Sequence, residues 1–114
     1  TSVTSGATLN INNVAIAGAE AITTNGAGVG SAGALTGTGT ASLSGLITLG
    51  SAATIGSNSG TFTISNAGTI TGSGFGLTMT GAGDGSIASI IGTGAGTVTK
   101  SGAGTWTLSG ANTY

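Results

Sequence analysis

The sequence predicts an all-β fold, a parallel β-solenoid of about five coils. Three observations carry this prediction: 25 glycines lie between short segments, those segments alternate bulky apolar residues with Thr or Ser, and the pattern recurs along the chain. Alternation with a period of two is typical of strands that have one buried and one exposed face. High glycine and β-branched content disfavours helices. With three strands and three corners to a coil, each coil takes about 20–24 residues.

The internal repeat is clearest near Gly102, where two near copies meet. Residues 94–102 read GAGTVTKSG and residues 102–110 read GAGTWTLSG, which agree at seven of nine positions. A solenoid tolerates near copies because stacked coils place like residues on like, whereas the strands of a β-sandwich face different neighbours. Since glycine inside a strand costs about 0.5–1 kcal/mol relative to Ala, we expect most glycines at corners that need positive φ or close backbone approach.

The elements follow in chain order. Residues 14–22, VAIAGAEAI, are rich in Ala, but their alternation and central Gly18 favour a strand over a helix. Residues 23–40 hold few bulky side chains and are either a loop or an irregular coil. Further strands are predicted over residues 61–65, 77–80 and 105–109. The residues expected to point inward on a regular beat are Phe62, Ile70, Leu77, Ile90, Val98, Trp106 and Tyr114. The candidates for polar stacking at corners are Asn10, Asn12, Asn13, Asn25, Asn58, Asn66 and Asn112.

The composition limits the chemistry that the chain can perform. Its charged residues are Glu20, Asp84 and Lys100, and it has no Cys, His, Arg or Pro. A metal cluster, a thiolate nucleophile and an imidazole base are therefore excluded, and one Lys is too few to neutralise nucleic-acid phosphates. We accordingly predict no catalytic, cofactor-binding or metal-binding residues, no enzymatic activity and no nucleic-acid partner.

No part of the sequence predicts membrane insertion or a leader peptide. The apolar runs are much shorter than the roughly 18 residues of a membrane-spanning helix, and the first residues include neither Met nor an apolar stretch. We therefore expect the chain to be a processed or excised piece.

Two short motifs and one pair of carboxylates resemble functional sites without the context that such sites require. Residues 28–33, GVGSAG, fit the dinucleotide pattern G-x-G-x-x-G, but in so glycine-rich a chain one match is expected by chance. Residues 81–85, GAGDG, are typical of a turn, because a calcium repeat needs an Asp in every coil. Glu20 and Asp84 are about three coils apart, too far for the carboxylate pair of a glycosidase.

The remaining conspicuous side chains are Lys100, the aromatic residues and the Thr-x-Thr units. Lys100 aligns with Leu108 between the two copies, so its strand is expected to end one residue earlier and the amine to face solvent. Alternation places Trp106 on the same side as Leu108, in the core rather than on a sugar-stacking surface. Thr-x-Thr units with a bulky apolar central residue begin at positions 61, 69, 78, 97 and 105. Their spacing puts neighbouring units on different faces, which disfavours a single ice-binding plane.

Residues 87–114 resemble the autotransporter-associated β-strand repeat, or passenger-associated repeat, of large bacterial surface proteins. The likeness is carried by TKSGAGT at residues 99–105 and LSGANTY at residues 108–114, and residues 66–70 look like the end of an earlier copy. The resemblance implies a right-handed β-helix exported across a Gram-negative envelope, on the cell surface or outside the cell. The family repeat continues past Asn-Thr-Tyr, so residues 1–114 are expected to be one solenoid segment of a longer passenger. The family has no shared catalytic residues.

Two structural hypotheses follow. The first is a stalk or scaffold of an adhesin-type surface protein, which needs no cofactor. The second is self-association: the ends of the column are expected to expose unpaired strand edges without a cap, so that copies stack into filaments. Ice binding and carbohydrate binding stay as alternatives, and no residue is singled out for a glycan or surface ligand.

Overall fold

The computed structural model describes residues 1–114, and every strand pairing in it is parallel. The predicted all-β solenoid is confirmed, with 14 strands and one 3-10 turn, Val29–Ser31. No helix has the length and apolar character that crossing a membrane requires. The strands are β1 Ser2–Val3, β2 Leu9–Asn12, β3 Ala15–Ile16, β4 Ile22–Gly26, β5 Leu35–Thr38, β6 Thr40–Leu43, β7 Ile47–Ser57, β8 Thr61–Ile64, β9 Thr69–Thr71, β10 Leu77–Thr80, β11 Asp84–Ile87, β12 Ile90–Gly92, β13 Val98–Lys100 and β14 Trp106–Leu108.

The strands stack on three faces in five successive coils. The first face holds β1, β4, the start of β7, β9 and β12. The second face holds β2, β5, the end of β7, β10 and β13. The third face is a separate five-stranded sheet of β3, β6, β8, β11 and β14. Strand β7 passes from the first face to the second without a break, so in the third coil one corner is continuous strand.

The two near copies around Gly102 lie side by side in one coil rather than one above the other. Strand β13 belongs to the second face and β14 to the third, and their stacking partners are β10 and β11 in the coil before. Like-on-like stacking therefore acts at a longer spacing. On the third face, for example, Leu43 pairs with Ile64 and Ile64 with Ile87.

The core is a set of apolar columns along the solenoid axis. Ile22, Ile47, Ile70 and Ile91 succeed one another on the first face, and each is at most 2% exposed. On the third face, Leu43, Ile64 and Ile87 form a second buried column. Ile90 was predicted to point inward, but it is only half-buried, and its neighbour Ile91 occupies the interior position.

Most glycines serve the two purposes that the sequence predicted. Gly39, Gly60, Gly83 and Gly104 form a column at the corner between the second and third faces. At Gly60, φ is +65° and a Cβ would lie 2.4 Å from the Gly39 carbonyl oxygen, so no other residue fits that corner without strain. Glycines within strands instead leave room for rings: Gly37 lies against Phe62 and Gly85 against Trp106.

The N-terminal third is an irregular part of the column. Residues 14–21 contain only the two-residue strand β3, followed by a bend, and Ile22 begins β4; no helix forms, as predicted. Residues 27–33 leave the coil between β4 and β5 and fold back onto it. The Gly33 amide donates to Ala27 O at 2.9 Å, and the Thr8 hydroxyl bridges Gly33 O and the Val29 amide, both at 2.8 Å. Residues 23–40 thus combine the two predicted alternatives: strands β4 and β5 belong to a coil, and a loop lies between them.

Candidate functional site

The most regular surface of the molecule is the outer side of the third face. Two columns of outward-pointing residues run along it, one on each side of the inward-pointing column Ala41, Phe62, Gly85 and Trp106. We call this surface the hydroxyl face. Its residues are Thr40, Thr61, Asp84 and Thr105 in one column and Ser42, Thr63, Ser86 and Thr107 in the other.

The hydroxyl face was not found from the sequence, although one part of the prediction holds. Thr61 and Thr63 lie on the third face, Thr69 and Thr71 on the first, and Thr78 and Thr80 on the second, so neighbouring units do fall on different faces. What was missed is that units one coil apart return to the same face. The signal lies in hydroxyl-x-hydroxyl pairs one coil apart, with Ser allowed in place of Thr.

A second polar feature runs down the corner between the third and first faces. The Ser44 hydroxyl donates to Ile16 O at 3.0 Å, the Asn66 amide to Ser44 O at 3.0 Å, and the Ser89 hydroxyl to Asn66 O at 2.6 Å. We call Ser44, Asn66 and Ser89 the corner ladder. Each side chain joins its coil to the one before, because donors point toward the N-terminal end.

The predicted Asn positions contribute to such bonds without stacking on one another. Asn25 donates to Val3 O at 3.0 Å, Asn13 accepts from the Thr40 amide, and Asn112 accepts from the Ile91 amide at 2.8 Å. Asn10 and Asn12 lie within β2 rather than at a corner. An Asn ladder is therefore the wrong description, since these three meet the backbone of a neighbouring coil, whereas Asn10 and Asn58 donate to Thr hydroxyls.

The two carboxylates are far apart and each has a local partner. Glu20 accepts from the Thr1 hydroxyl at 2.6 Å and from the Thr1 ammonium at 3.0 Å. These bonds, the hydroxyl first, and the attraction of the ammonium lower the pKa of Glu20 below its ordinary value of 4.5. Asp84, in the fourth coil, accepts from the Thr105 amide at 2.9 Å. The structure does not bring the two together.

The other motifs occupy surface turns. Residues 28–33 form the 3-10 turn and its flanks between two strands, with positive φ at Gly28, Gly30 and Gly33. Asp84 starts β11 directly after the corner at Gly83. The surface has no pocket and no cluster of three or more acidic, His or Cys residues.

The aromatic side chains do not form a common surface. Trp106 is half-buried against the core, as predicted, and its ring lies over Gly85. Tyr114, on the same predicted beat, is 56% exposed, and Phe75 is exposed at a corner of the fourth coil. Neither exposed ring has an aromatic partner.

The two ends of the column differ. At the N-terminal end β1, β2 and β3 each pair on one side only, leaving three strand edges open. At the C-terminal end the first face is covered, because the Thr113 amide donates to Ile91 O at 3.0 Å and Asn112 accepts from the Ile91 amide. The prediction of uncapped ends is therefore wrong for one face of the C-terminal end. Strands β13 and β14 keep open edges there.

Lys100 lies at this C-terminal end. It is the last residue of β13, which pairs with β10 up to and including Met79 and Lys100, so the strand does not end one residue earlier as expected. The side chain is exposed, as expected, and the ammonium donates to Ser101 O at 2.8 Å and Gly102 O at 3.0 Å.

Residues 98–114 match the family model of the passenger-associated-transport-repeat. This is the resemblance predicted from the sequence, and the matched range comprises β13, β14 and the segment that covers the first face. No curated protein and no solved structure matches the chain.

Proposed function

We propose that this segment is a rigid structural spacer in the passenger part of an adhesin-type surface protein. The observation that carries the proposal is the continuous five-coil column, whose C-terminal residues 98–114 match the passenger-associated-transport-repeat. The proposed location is the surface of, or the medium around, a Gram-negative bacterium. Antibody labelling of an epitope in the loop at residues 27–33 on intact cells tests the location, and labelling only after lysis would contradict it.

The proposed mechanism is mechanical. Parallel stacking joins each coil to the next through main-chain hydrogen bonds on three faces, and the apolar columns exclude water between coils. Each coil contacts only its neighbours, so the chain can fold coil by coil as it emerges from export. The role requires neither a catalytic group nor a cofactor, and we propose that the segment is not an enzyme.

Spin labels on the outer side of the third face test the rigidity. Ala15 and Thr107 lie in one outward column, four coil steps apart, or about 19 Å between backbones. Because the chain has no Cys, Ala15→Cys and Thr107→Cys give two clean labelling sites. Double electron–electron resonance should give a single narrow distance distribution. A broad distribution centred near the ~50 Å of a flexible chain of this length would contradict a rigid spacer.

We further propose that isolated copies associate end to end. The support is the open edges of β13 and β14 at one end and of β2 and β3 at the other, which lie on the same two faces. Such edges template further pairing, and little charge opposes it. Sedimentation velocity should show elongated species that grow with concentration. A monomer that persists at the highest soluble concentration would contradict the association.

The hydroxyl face favours a second candidate function, binding to ice. Hydroxyls that repeat at the coil spacing in two columns form an array that can order water in two dimensions, and only Asp84 interrupts it. Thermal hysteresis should then be measurable, and Thr63→Tyr should abolish it while Thr78→Tyr on the second face leaves it unchanged. No hysteresis in the unsubstituted chain would remove this candidate. Carbohydrate binding has less support, because the exposed rings do not group.

A further inference from the structure

The loop at residues 27–33 lies on the outer side of the second face and covers part of it. Thr36 points outward in β5, yet it is only 1% exposed, and its partner Gly56 in β7 is also buried. A Cβ on Gly56 would collide with the Ala32 carbonyl oxygen, and one on Gly33 would lie 2.8 Å from the Gly56 amide nitrogen. The loop therefore packs on outward positions of both the second and the third coil.

The same loop is fastened to the first coil by one side chain. The Thr8 hydroxyl, just before β2, donates to Gly33 O and accepts from the Val29 amide, both at 2.8 Å. A hydroxyl has one proton to donate and lone pairs to accept, so a single short side chain can make both bonds. Thr8 thus holds the beginning and the end of the loop at once.

Glycines close the loop on itself. Gly28 and Gly33, the first and last of the G-x-G-x-x-G run, form a β-bridge, and the Gly33 amide donates to Ala27 O at 2.9 Å. At Gly28, φ is +74° and a Cβ would collide with the Gly33 carbonyl oxygen, so another residue would strain this closure. The run that resembles a dinucleotide motif therefore shapes a loop that lies against the column.

No other coil has such a loop at this corner. The first and second faces are joined by residues 4–8 in the first coil, 72–76 in the fourth and 93–97 in the fifth, and by the continuous strand β7 in the third. The second coil uses the longer segment 27–34. Its additional residues are the ones that reach the neighbouring coils.

We propose that residues 27–33, held by Thr8 and seated on Gly56, are a strap that fastens the first three coils together, so that these coils open as one unit. Coils of a solenoid contact only their neighbours, which lets them open one at a time. The strap joins the first coil to the third, so a coil that leaves this part of the column must also break the contacts of the strap. The proposal concerns how the column opens, and it stands whether or not the segment serves as a spacer.

A double-substitution cycle tests the link between Thr8 and Gly56. Thr8→Val removes the hydroxyl at nearly constant shape, and Gly56→Ala places a methyl group where Ala32 O lies, at a position without positive φ. The two residues are two coil steps apart, about 10 Å between backbones, a distance at which independent substitutions have additive effects. Because either change frees the strap, the double variant should be no more perturbed than the more affected single variant.

Native-state amide exchange gives a readout far from the strap. Ser44, Ser65 and Ser109 occupy equivalent positions after the third-face strands, and their amides donate to carbonyl groups of the first, second and fourth coils. Thr8→Val and Gly56→Ala should each accelerate exchange at Ser44 and Ser65 by one common factor, at least fivefold, and at Ser109 by less than twofold. The matched control is Thr78→Val, on the second face of the fourth coil, which should leave Ser44 and Ser65 within twofold.

Three results would overturn the strap. The first is acceleration confined to the Leu9 amide, which donates to Ala34 O beside the loop. The second is equal acceleration at Ser109, since the whole column would then open as one unit. The third is a double variant whose exchange rises by the product of the two single factors. Thr8→Ser keeps the hydroxyl and should behave like the unsubstituted chain. If circular dichroism shows that Thr8→Val does not fold, Gly56→Ala and Thr8→Ser carry the comparison.

Discussion

Small and large side chains alternate along the inward-pointing column of the third face. Ala41, Phe62, Gly85 and Trp106 succeed one another there, so that each ring faces a small residue in the adjacent coil. A Cβ on Gly85 would come within 2.4 Å of the indole ring. Interiors packed this closely respond to a single added methyl group. The pairing of Gly85 with Trp106 is therefore a volume match between two specific residues.

Gly85→Ala should destabilise the chain by about 1–3 kcal/mol, because the ring or the backbone must shift. The matched control is Gly18→Ala, where a Cβ would meet nothing within 4 Å and φ is not positive. That substitution should be neutral or stabilising by up to ~1 kcal/mol. Equilibrium urea unfolding measures both, and an equal loss for the two variants would count against the volume match.

Glu20 is the residue for which the structure predicts a pH dependence. Its pKa is lowered in the folded chain by the Thr1 hydroxyl and ammonium. Its carboxylate therefore stabilises the fold at pH values above its ordinary pKa of 4.5. This contribution should be lost as the pH falls through the lowered pKa. The free energy of unfolding of Glu20→Gln should therefore lie below that of the unsubstituted chain at pH 7 and converge with it in acid.

Titration of the Glu20 carboxyl by NMR checks the same assignment. Acetylation of the Thr1 amine removes the ammonium but keeps the hydroxyl bond, so the pKa should rise only part of the way back. An ordinary pKa in the unmodified chain would refute the contact.

At the scale of the element, corners differ in what holds them. The corner between the second and third faces is a glycine column, where the backbones approach closely and the Gly39 and Thr40 amides donate to the Ser59 hydroxyl and the Asn13 side chain. The corner between the third and first faces has the ladder of Ser44, Asn66 and Ser89, whose part-buried bonds satisfy carbonyl groups of the preceding coil. Such bonds are worth more than exposed ones because a broken partner is left without water.

Asn66→Ala should cost about 1–2 kcal/mol, since it removes both the bond to Ser44 O and the one that Asn66 accepts from the Gly68 amide at 2.7 Å. Asn58→Ala is the control, because its bond to the Thr38 hydroxyl is exposed, and should cost less than ~0.5 kcal/mol. Amide exchange at Gly68 should accelerate in the first variant. Unchanged exchange there would show that the ladder does not hold the corner.

At the scale of the whole molecule, much of the architecture was predictable because period-two alternation and glycine spacing are local signals. Thr61–Ile64 and Leu77–Thr80 became strands within one residue of the prediction. The hydroxyl face and the pairing of Lys100 with Met79 depend instead on which residues become neighbours one coil apart, at spacings that vary between coils as loops lengthen. The covered first face was missed for the same reason, since Asn112 meets Ile91 only once the chain has turned a full coil.

Removal of whole coils tests the column as a unit. Deletion of residues 44–64 joins Leu43 to Ser65 in register and places Gly85 over Ala41, whereas deletion of residues 65–87 joins Ile64 to Ala88 and places Trp106 over Phe62. The first variant should keep cooperative thermal unfolding at a lower Tm, because coils contribute nearly independently. The second should lose cooperativity through the clash of rings. Circular dichroism melts distinguish them, and the reverse order would contradict the assigned column.

The direction of the strand pairings bears on how the column would respond to a pull. Because all strands run across the axis, their main-chain hydrogen bonds lie along it. Tension between the two ends then loads the bonds of a terminal coil first, and the chain should peel rather than shear. Each peeled coil would release about 70 Å of extended chain, so that an applied force is dissipated in a series of small steps.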